Sequence, residues 1–307
     1  MAIIMLIKTA SDSFPGKTVY FSALLPDRFP AFFKCLTDIV NTSGIPWGLL
    51  PYTRDIWCRD YMPVRGASQE LVQFQYAPSY LNTLQWRQTI TDPSKVCEAI
   101  GIMADSVDVV IDGGNVVRFK RKAIMTERIY RENPGYSKEV LLDKLKDVLG
   151  VDEIVMIPVE PGDPYGHADG CVRFLNENTV MINEPQKSHP KFDRALRKIL
   201  EKHRLGFHEM PIFIDHDSKH KDSAVGNYIN YLDADGLVVL PCYEGYAHQN
   251  ERALQAWASC PRGTEPFTWI EATPIAKHGG VLNCVSWDYN GGVYGIGKLF
   301  NEAKGSY

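Results

Sequence analysis

One cysteine, one histidine and three aspartates stand in short polar segments far apart along the chain. Cys284 ends the run Gly279-Gly280-Val281-Leu282-Asn283-Cys284. A cysteine thiol is intrinsically nucleophilic near neutral pH, a nearby cation favours its thiolate, and a glycine pair permits close approach of backbone and ligand. His167 and Asp169 form Gly-His-x-Asp. On a strand, positions i and i+2 face one side, so both side chains would enter one site. Histidine carries protons near pH 7, and an aspartate can orient a cation. Asp60 lies in Trp57-Cys58-Arg59-Asp60-Tyr61-Met62-Pro63, and Asp112 opens Asp112-Gly113-Gly114-Asn115 after an apolar run.

Taken singly, each residue has a plainer structural reading. Cys284 could be a buried thiol, His167 a polar turn residue, Asp60 half of an Arg-Asp pair bracing a loop, and Asp112-Gly113 an ordinary turn. Taken together they suit a guanidinium, whose planar charge carboxylates recognise through paired, charge-assisted hydrogen bonds. Two carboxylates gripping that fork would present its central carbon to a thiolate. A histidine could then protonate the departing ammonia and later activate water. That chemistry needs no metal and no organic cofactor, so none is expected. The sequence contains no HExxH, no CxxC, no GxxxxGK[ST] and no GxGxxG, which leaves zinc and nucleotide binding without their usual signals.

These residues need elements to hold them. The chain has 307 residues, 45% apolar and 23% charged, enough to fill a core. Strand-like runs are Val19–Leu24, Leu71–Tyr76, Val107–Val110, Glu153–Pro158, Thr179–Ile182, Phe207–Phe213, Gly236–Pro241 and Thr268–Thr273. Helical spacing marks Pro26–Asn41, Ser137–Leu149, Lys191–His203 and Glu244–Ser259, with Ser137 placed as an N-cap. Five polar segments punctuate this alternation at intervals of roughly 50 to 60 residues. They contain Asp60, Asp112, His167 with Asp169, Asn230, and Cys284. Five strand-helix units around an axis would bring all five segments to one end, and the whole of 1–307 is expected as one domain. An open α/β sheet with the segments at its strand ends is the alternative.

Net charge is −4, which gives no support to a nucleic-acid partner. Seven cysteines, an odd number at irregular spacing, fit a reducing cytoplasm. The start, MAIIMLIKTASDSF, lacks a basic region before its apolar run and is expected as a first strand. No run of about 18 apolar residues suggests a membrane span. The charge-dense stretch Asp215–Asp222 is expected as a solvated loop.

The ordered motifs resemble those of the agmatine deiminase and bacterial (Porphyromonas-type) peptidylarginine deiminase family. Trp57-x-Arg59-Asp60-x-x-Pro63 is similar to the family's Trp-x-Arg-Asp-x-Gly-Pro, and Asp112-Gly113-Gly114-Asn115 to its acidic-Gly-Gly-Asn. Gly166-His167-x-Asp169-Gly170-x-x-Arg173-Phe174 resembles Gly-His-x-Asp-x-x-x-Arg-Phe, the most specific of the set. Tyr228-Ile229-Asn230-Tyr231 and Gly279-Gly280-x-x-Asn283-Cys284 resemble the fourth and final motifs. The resemblance implies an α/β fold of the pentein type, a fivefold pseudosymmetric propeller. It also implies Cys284 as nucleophile, His167 as general acid and base, and Asp60 and Asp169 as holders of the guanidinium. Asp112, Trp57 and Asn230 would line the substrate pocket. The implied partner is a small cationic guanidine, agmatine first, with no nucleic acid or membrane; a homodimer is compatible. Met62 stands where agmatine deiminases usually have Gly, Asn283 replaces a common His, and Asp112 replaces a common Glu. These departures keep arginine and C-terminal peptidyl arginine open as substrates, and Arg87 is a candidate for a substrate carboxylate. Amidinotransfer and guanidine binding without turnover are the other readings.

Overall fold

The computed structural model of the chain describes residues 17–67, 70–215 and 222–290. The expected N-terminal strand and most of the charged segment Asp215–Asp222 lie outside them. The strands are β1 (Thr18–Ser22), β2 (Trp47–Leu50), β3 (Val64–Arg65), β4 (Leu71–Gln75), β5 (Asp105–Val110), β6 (Val117–Phe119), β7 (Lys122–Thr126) and β8 (Glu153–Ile157). They continue with β9 (Val172–Asn176), β10 (Thr179–Asn183), β11 (Gly206–Met210), β12 (Leu232–Ala234), β13 (Leu237–Cys242), β14 (Phe267–Glu271) and β15 (Trp287–Tyr289).

They form five separate three-stranded sheets, not one open sheet. Each middle strand (β1, β4, β7, β10, β13) is antiparallel to one neighbour and parallel to the other. Strands consecutive along the chain make the antiparallel pair in four sheets, with two-residue connections in three of them. The parallel pair requires a crossover, and helices supply it, among them Pro30–Thr42, Lys138–Leu149, Pro190–Lys202 and Ala247–Ser259. Sandwiched middle strands are largely apolar and buried: Val180, Met181 and Ile182 of β10 have no exposed surface. The first sheet differs in one respect. Its antiparallel strand is β15, which pairs Trp287 with Tyr20 and Tyr289 with Thr18.

The eight expected strands and four expected helices are present, with shifted ends. The helix expected over Pro26–Asn41 is two helices, Leu25–Arg28 and Pro30–Thr42. Phe29 leaves the helical region (φ −138°, ψ 61°) because a residue before proline is crowded out of it, while Pro30 suits a first helical turn. Ser137 caps Lys138–Leu149 as expected, its hydroxyl accepting from the Val140 amide at 3.3 Å. The strand expected to reach Phe213 stops at Met210.

The five polar segments occupy equivalent places. Each connects the parallel edge strand of one sheet to the antiparallel strand of the next: Asp60 after β2, Asp112 after β5, His167 after β8, Asn230 after β11 and Cys284 after β14.

Candidate active site

Asp60 lies on a single helical turn, Cys58–Tyr61, and is buried. Its Oδ1 accepts from the Gly114 amide at 3.2 Å and lies 3.4 Å from His167 Nδ1. On the other side of the ring, His167 Nε2 meets Asp112 Oδ2 at 2.8 Å. The imidazole is therefore clasped between carboxylates from two other segments. Burial works against its charge, but Asp60, Asp112 and Asp169 outweigh that and raise it from 6.5 to about 10. Asp60 is pushed from 3.8 to about 7, chiefly by burial; His167 opposes the shift, and Asp112 and Asp169 add to it.

His167 and Asp169 do not share a strand face, as the sequence suggested. His167 is extended (φ −87°, ψ 139°), and Ala168–Gly170 form a 3-10 turn that brings Asp169 round. Asp169 Oδ2 accepts from Asn283 Nδ2 at 2.6 Å and lies 3.8 Å from Cys284 Sγ. Asn283, one of the three residues that depart from the motifs, thus ties the cysteine segment to this carboxylate. Cys284 is 8% exposed. Burial, then Asp169 and Asp60, push its thiol well above the usual range.

Gly114 shows why this centre needs a glycine. A Cβ there would lie 2.6 Å from Asp60 Oδ1, 2.9 Å from His167 Nδ1 and 3.4 Å from Asp169 Oδ1. A Cβ on Gly280 would lie 2.5 Å from the Trp57 ring and 3.0 Å from Cys284 Cβ, which places Trp57 beside the thiol.

Asn230 lines the cavity, as expected, and its side chain also braces the cysteine turn. Oδ1 accepts from the Asn283 and Cys284 amides at 3.2 and 3.3 Å, holding the turn that carries the thiol. The Arg-Asp pair read from Arg59-Asp60 is absent. Arg59 bonds Asp288 at 3.2 Å, and its amide donates to the Cys284 carbonyl at 3.1 Å. Arg87 is exposed and bonds Asn82 at 3.4 Å, away from the cavity.

Three participants were missed in the sequence. Tyr80 donates to Asp112 Oδ2 at 3.0 Å. Asn115 Oδ1 accepts from the Thr126 and Ala168 amides at 2.9 and 3.2 Å, fastening the second segment to the third. Arg128, 5% exposed, lies behind Tyr80. Asn115 stood inside a recognised motif; Tyr80 and Arg128 had no sequence signal.

A cavity of about 190 Å³ opens over Cys284, His167 and Asp169. Glu160, Asp163 and Asp222 line it further out, and no lysine or arginine does among the described residues. Burial and the nearby Asp163 raise Glu160 to about 7. All seven cysteines are free of disulfides, and Cys284 alone among the described residues lines this cavity. No group of three or more His, Cys, Asp or Glu is arranged to hold a metal ion among the described residues. No helix among them is long and apolar enough to cross a membrane.

The model of the Porphyromonas-type peptidyl-arginine deiminase family matches residues 47–289. A Streptococcus mutans protein whose name provisionally assigns it to the agmatine deiminases is 22% identical over 233 residues, 66% of this chain and 62% of its own. The chain thus spans between about half and a little under two thirds of the length of the curated relatives it matches. Among solved structures, the agmatine deiminase of C. jejuni has a TM-score of 0.72 at 16% identity, covering 91% of this chain and 94% of that one. The agmatine deiminase of Enterococcus faecalis has the same score and identity over 90% and 94%. These likenesses establish a shared α/β fold.

Proposed function

Because the chain belongs to the Porphyromonas-type peptidyl-arginine deiminase family, we propose that it is a hydrolase that converts a guanidine to a ureido product and ammonia. The observation that carries this reading is the convergence of Cys284, His167, Asp169, Asp60 and Asp112 from four separate segments. We read the five sheets as repeats of one fivefold pseudosymmetric propeller, the pentein fold, forming a single domain. Their common strand order and the β15–β1 pairing support it.

In this reading Asp60 and Asp169 grip the guanidinium fork, and Asp112 holds His167. In the resting site the thiol is protonated and the imidazole charged. An arriving guanidinium offsets the carboxylates that disfavour the thiolate, and the Cys284 proton passes to solvent water. The thiolate adds to the central carbon, forming a C–S bond. The imidazolium protonates the departing nitrogen, and ammonia leaves as the C–N bond breaks. His167, now neutral, takes a proton from water as the water attacks the thiouronium carbon. The C–S bond then breaks, releasing the ureido product and the thiol.

The acidic outer wall favours agmatine over arginine. Asp163 and Asp222 suit a distal ammonium, whereas a substrate carboxylate would meet like charge. Arg87, the candidate for that carboxylate, lies outside the cavity. The test is release of ammonia and ureido product from agmatine, arginine and arginine-terminated peptides by folded, reduced protein. Agmatine should be turned over fastest, and inertness on all three would sink the deiminase reading. Cys284→Ala should lower kcat by roughly 10⁴-fold or more; retained turnover would remove the thiol from the mechanism. Label appearing in an added amine acceptor would replace hydrolysis with amidinotransfer.

A further inference from the structure

Behind Asp112 lies a second cavity of about 10 Å³, room for one water. Asp112, His167, Arg128 and Glu132 are among its walls. Two buried side-chain atoms on those walls have no protein partner: Asp112 Oδ1, an acceptor, and Arg128 Nε, a donor. Buried polar groups of native proteins are satisfied, by ordered water where protein atoms do not reach.

The rest of Arg128 is committed. Nη1 donates to the Pro164 carbonyl at 2.9 Å, and Nη2 pairs with Glu132 at 2.9 Å and reaches Ser79 Oγ at 3.3 Å. Its guanidinium lies 5.1 Å from the Tyr80 ring centre. Glu132 accepts from the amide and hydroxyl of Ser79 at 3.0 and 2.7 Å. The ion pair therefore fixes the turn Ser79–Leu81, from which Tyr80 donates to Asp112 Oδ2. That same oxygen meets His167 Nε2.

We propose that the Arg128–Glu132 pair is a positioning unit that sets both oxygens of Asp112: Oδ2 through Tyr80, and Oδ1 through one buried water bridging to Arg128 Nε. A fixed Asp112 holds His167 upright and charged between the segments. The pair is neutral overall, so it orients the carboxylate without altering the net charge of the site. Its consequence for turnover rests on the deiminase reading; its geometry does not.

The first test is a crystal structure of the unaltered protein at a resolution that shows ordered water. One water should lie within hydrogen-bond distance of both Asp112 Oδ1 and Arg128 Nε, and a dry cavity overturns the bridge. The second uses the double variant Arg128→Met, Glu132→Gln, which removes both charges together. The imidazole titration of His167, followed by NMR, should move down by about one pH unit as its Asp112 partner loosens. An unchanged titration with a lowered Tm would mean a purely structural ion pair. If the unaltered protein is a deiminase, kcat in the variant should fall about 10-fold. If it turns over no guanidine, the water and the titration still decide the proposal.

Discussion

His167 is held by carboxylates on both ring nitrogens, and its charge is a property of its neighbours. That has a consequence for stability. A group whose folded pKa is raised stabilises fully below its unfolded value and loses that contribution as pH rises through the folded one. His167 is raised from 6.5 to about 10, and Asp60 from 3.8 to about 7. Asp60 loses its contribution between 3.8 and about 7 and His167 between 6.5 and about 10, so Tm should decline first through the acidic range and then, through His167, from neutrality towards 10. In His167→Asn the decline between about pH 6.5 and 9 should flatten, measured by calorimetry across pH; an identical slope would show that the imidazole is not charged in the fold. Asn230 carries a related lesson. Its type and position marked it as a pocket residue, yet its oxygen is spent on two backbone amides of the cysteine turn. Residue types suggest who is present at a site, but not which atoms remain for a ligand.

At the scale of elements, the 3-10 turns decide the geometry. Gly113–Asn115 and Ala168–Gly170 pack closely, with Gly114 beneath the side chains of Asp60, His167 and Asp169. Gly114→Ala should therefore cost far more than a lost backbone freedom. Its methyl group would displace Asp60 or His167, lowering kcat/KM by at least about 100-fold, since misplacement near 1 Å is felt on that scale. Circular dichroism should still show a folded protein. Much of this level was legible beforehand. Four of the five middle strands declare themselves, because burial on both faces demands mainly apolar runs, and Ser137 declares its helix by capping it. The antiparallel strands β3, β6, β12 and β15 went unread, being two or three residues long, and so did β2, β9 and the middle strand β7, which are only four or five residues long. The turn carrying His167 and Asp169 was misread as a strand, because Gly-His-x-Asp fits either spacing. Tyr80 and Arg128 were invisible because their roles depend on contacts across 32 and 36 residues of sequence that no local pattern records.

Across the whole molecule, the first and last described strands share one sheet, and a charged cluster fastens the join. Asp288 of β15 pairs with Arg59 beside the first motif and with Lys17 beside β1, each at 3.2 Å. Burial alone would raise its carboxyl, but Arg59 and then Lys17 bring it down to about 2. This contribution is present above 3.8 and is lost as pH falls through 2. Asp288→Asn should lower unfolding stability by about 1–2 kcal/mol at neutral pH, less than a fully buried pair because 20% of the side chain is exposed. Urea denaturation measures it, and the deficit should vanish near pH 2.

The β15–β1 pairing also orders events in time. Four sheets are assembled from strands that are neighbours along the chain, so each can form as its stretch leaves the ribosome. The first sheet must wait for a strand about 270 residues downstream, a long loop to close. Cys284 arrives with that last strand. Until then the carboxylates have no thiol beside them, so the nascent chain gains this sulfur only as its first sheet is completed.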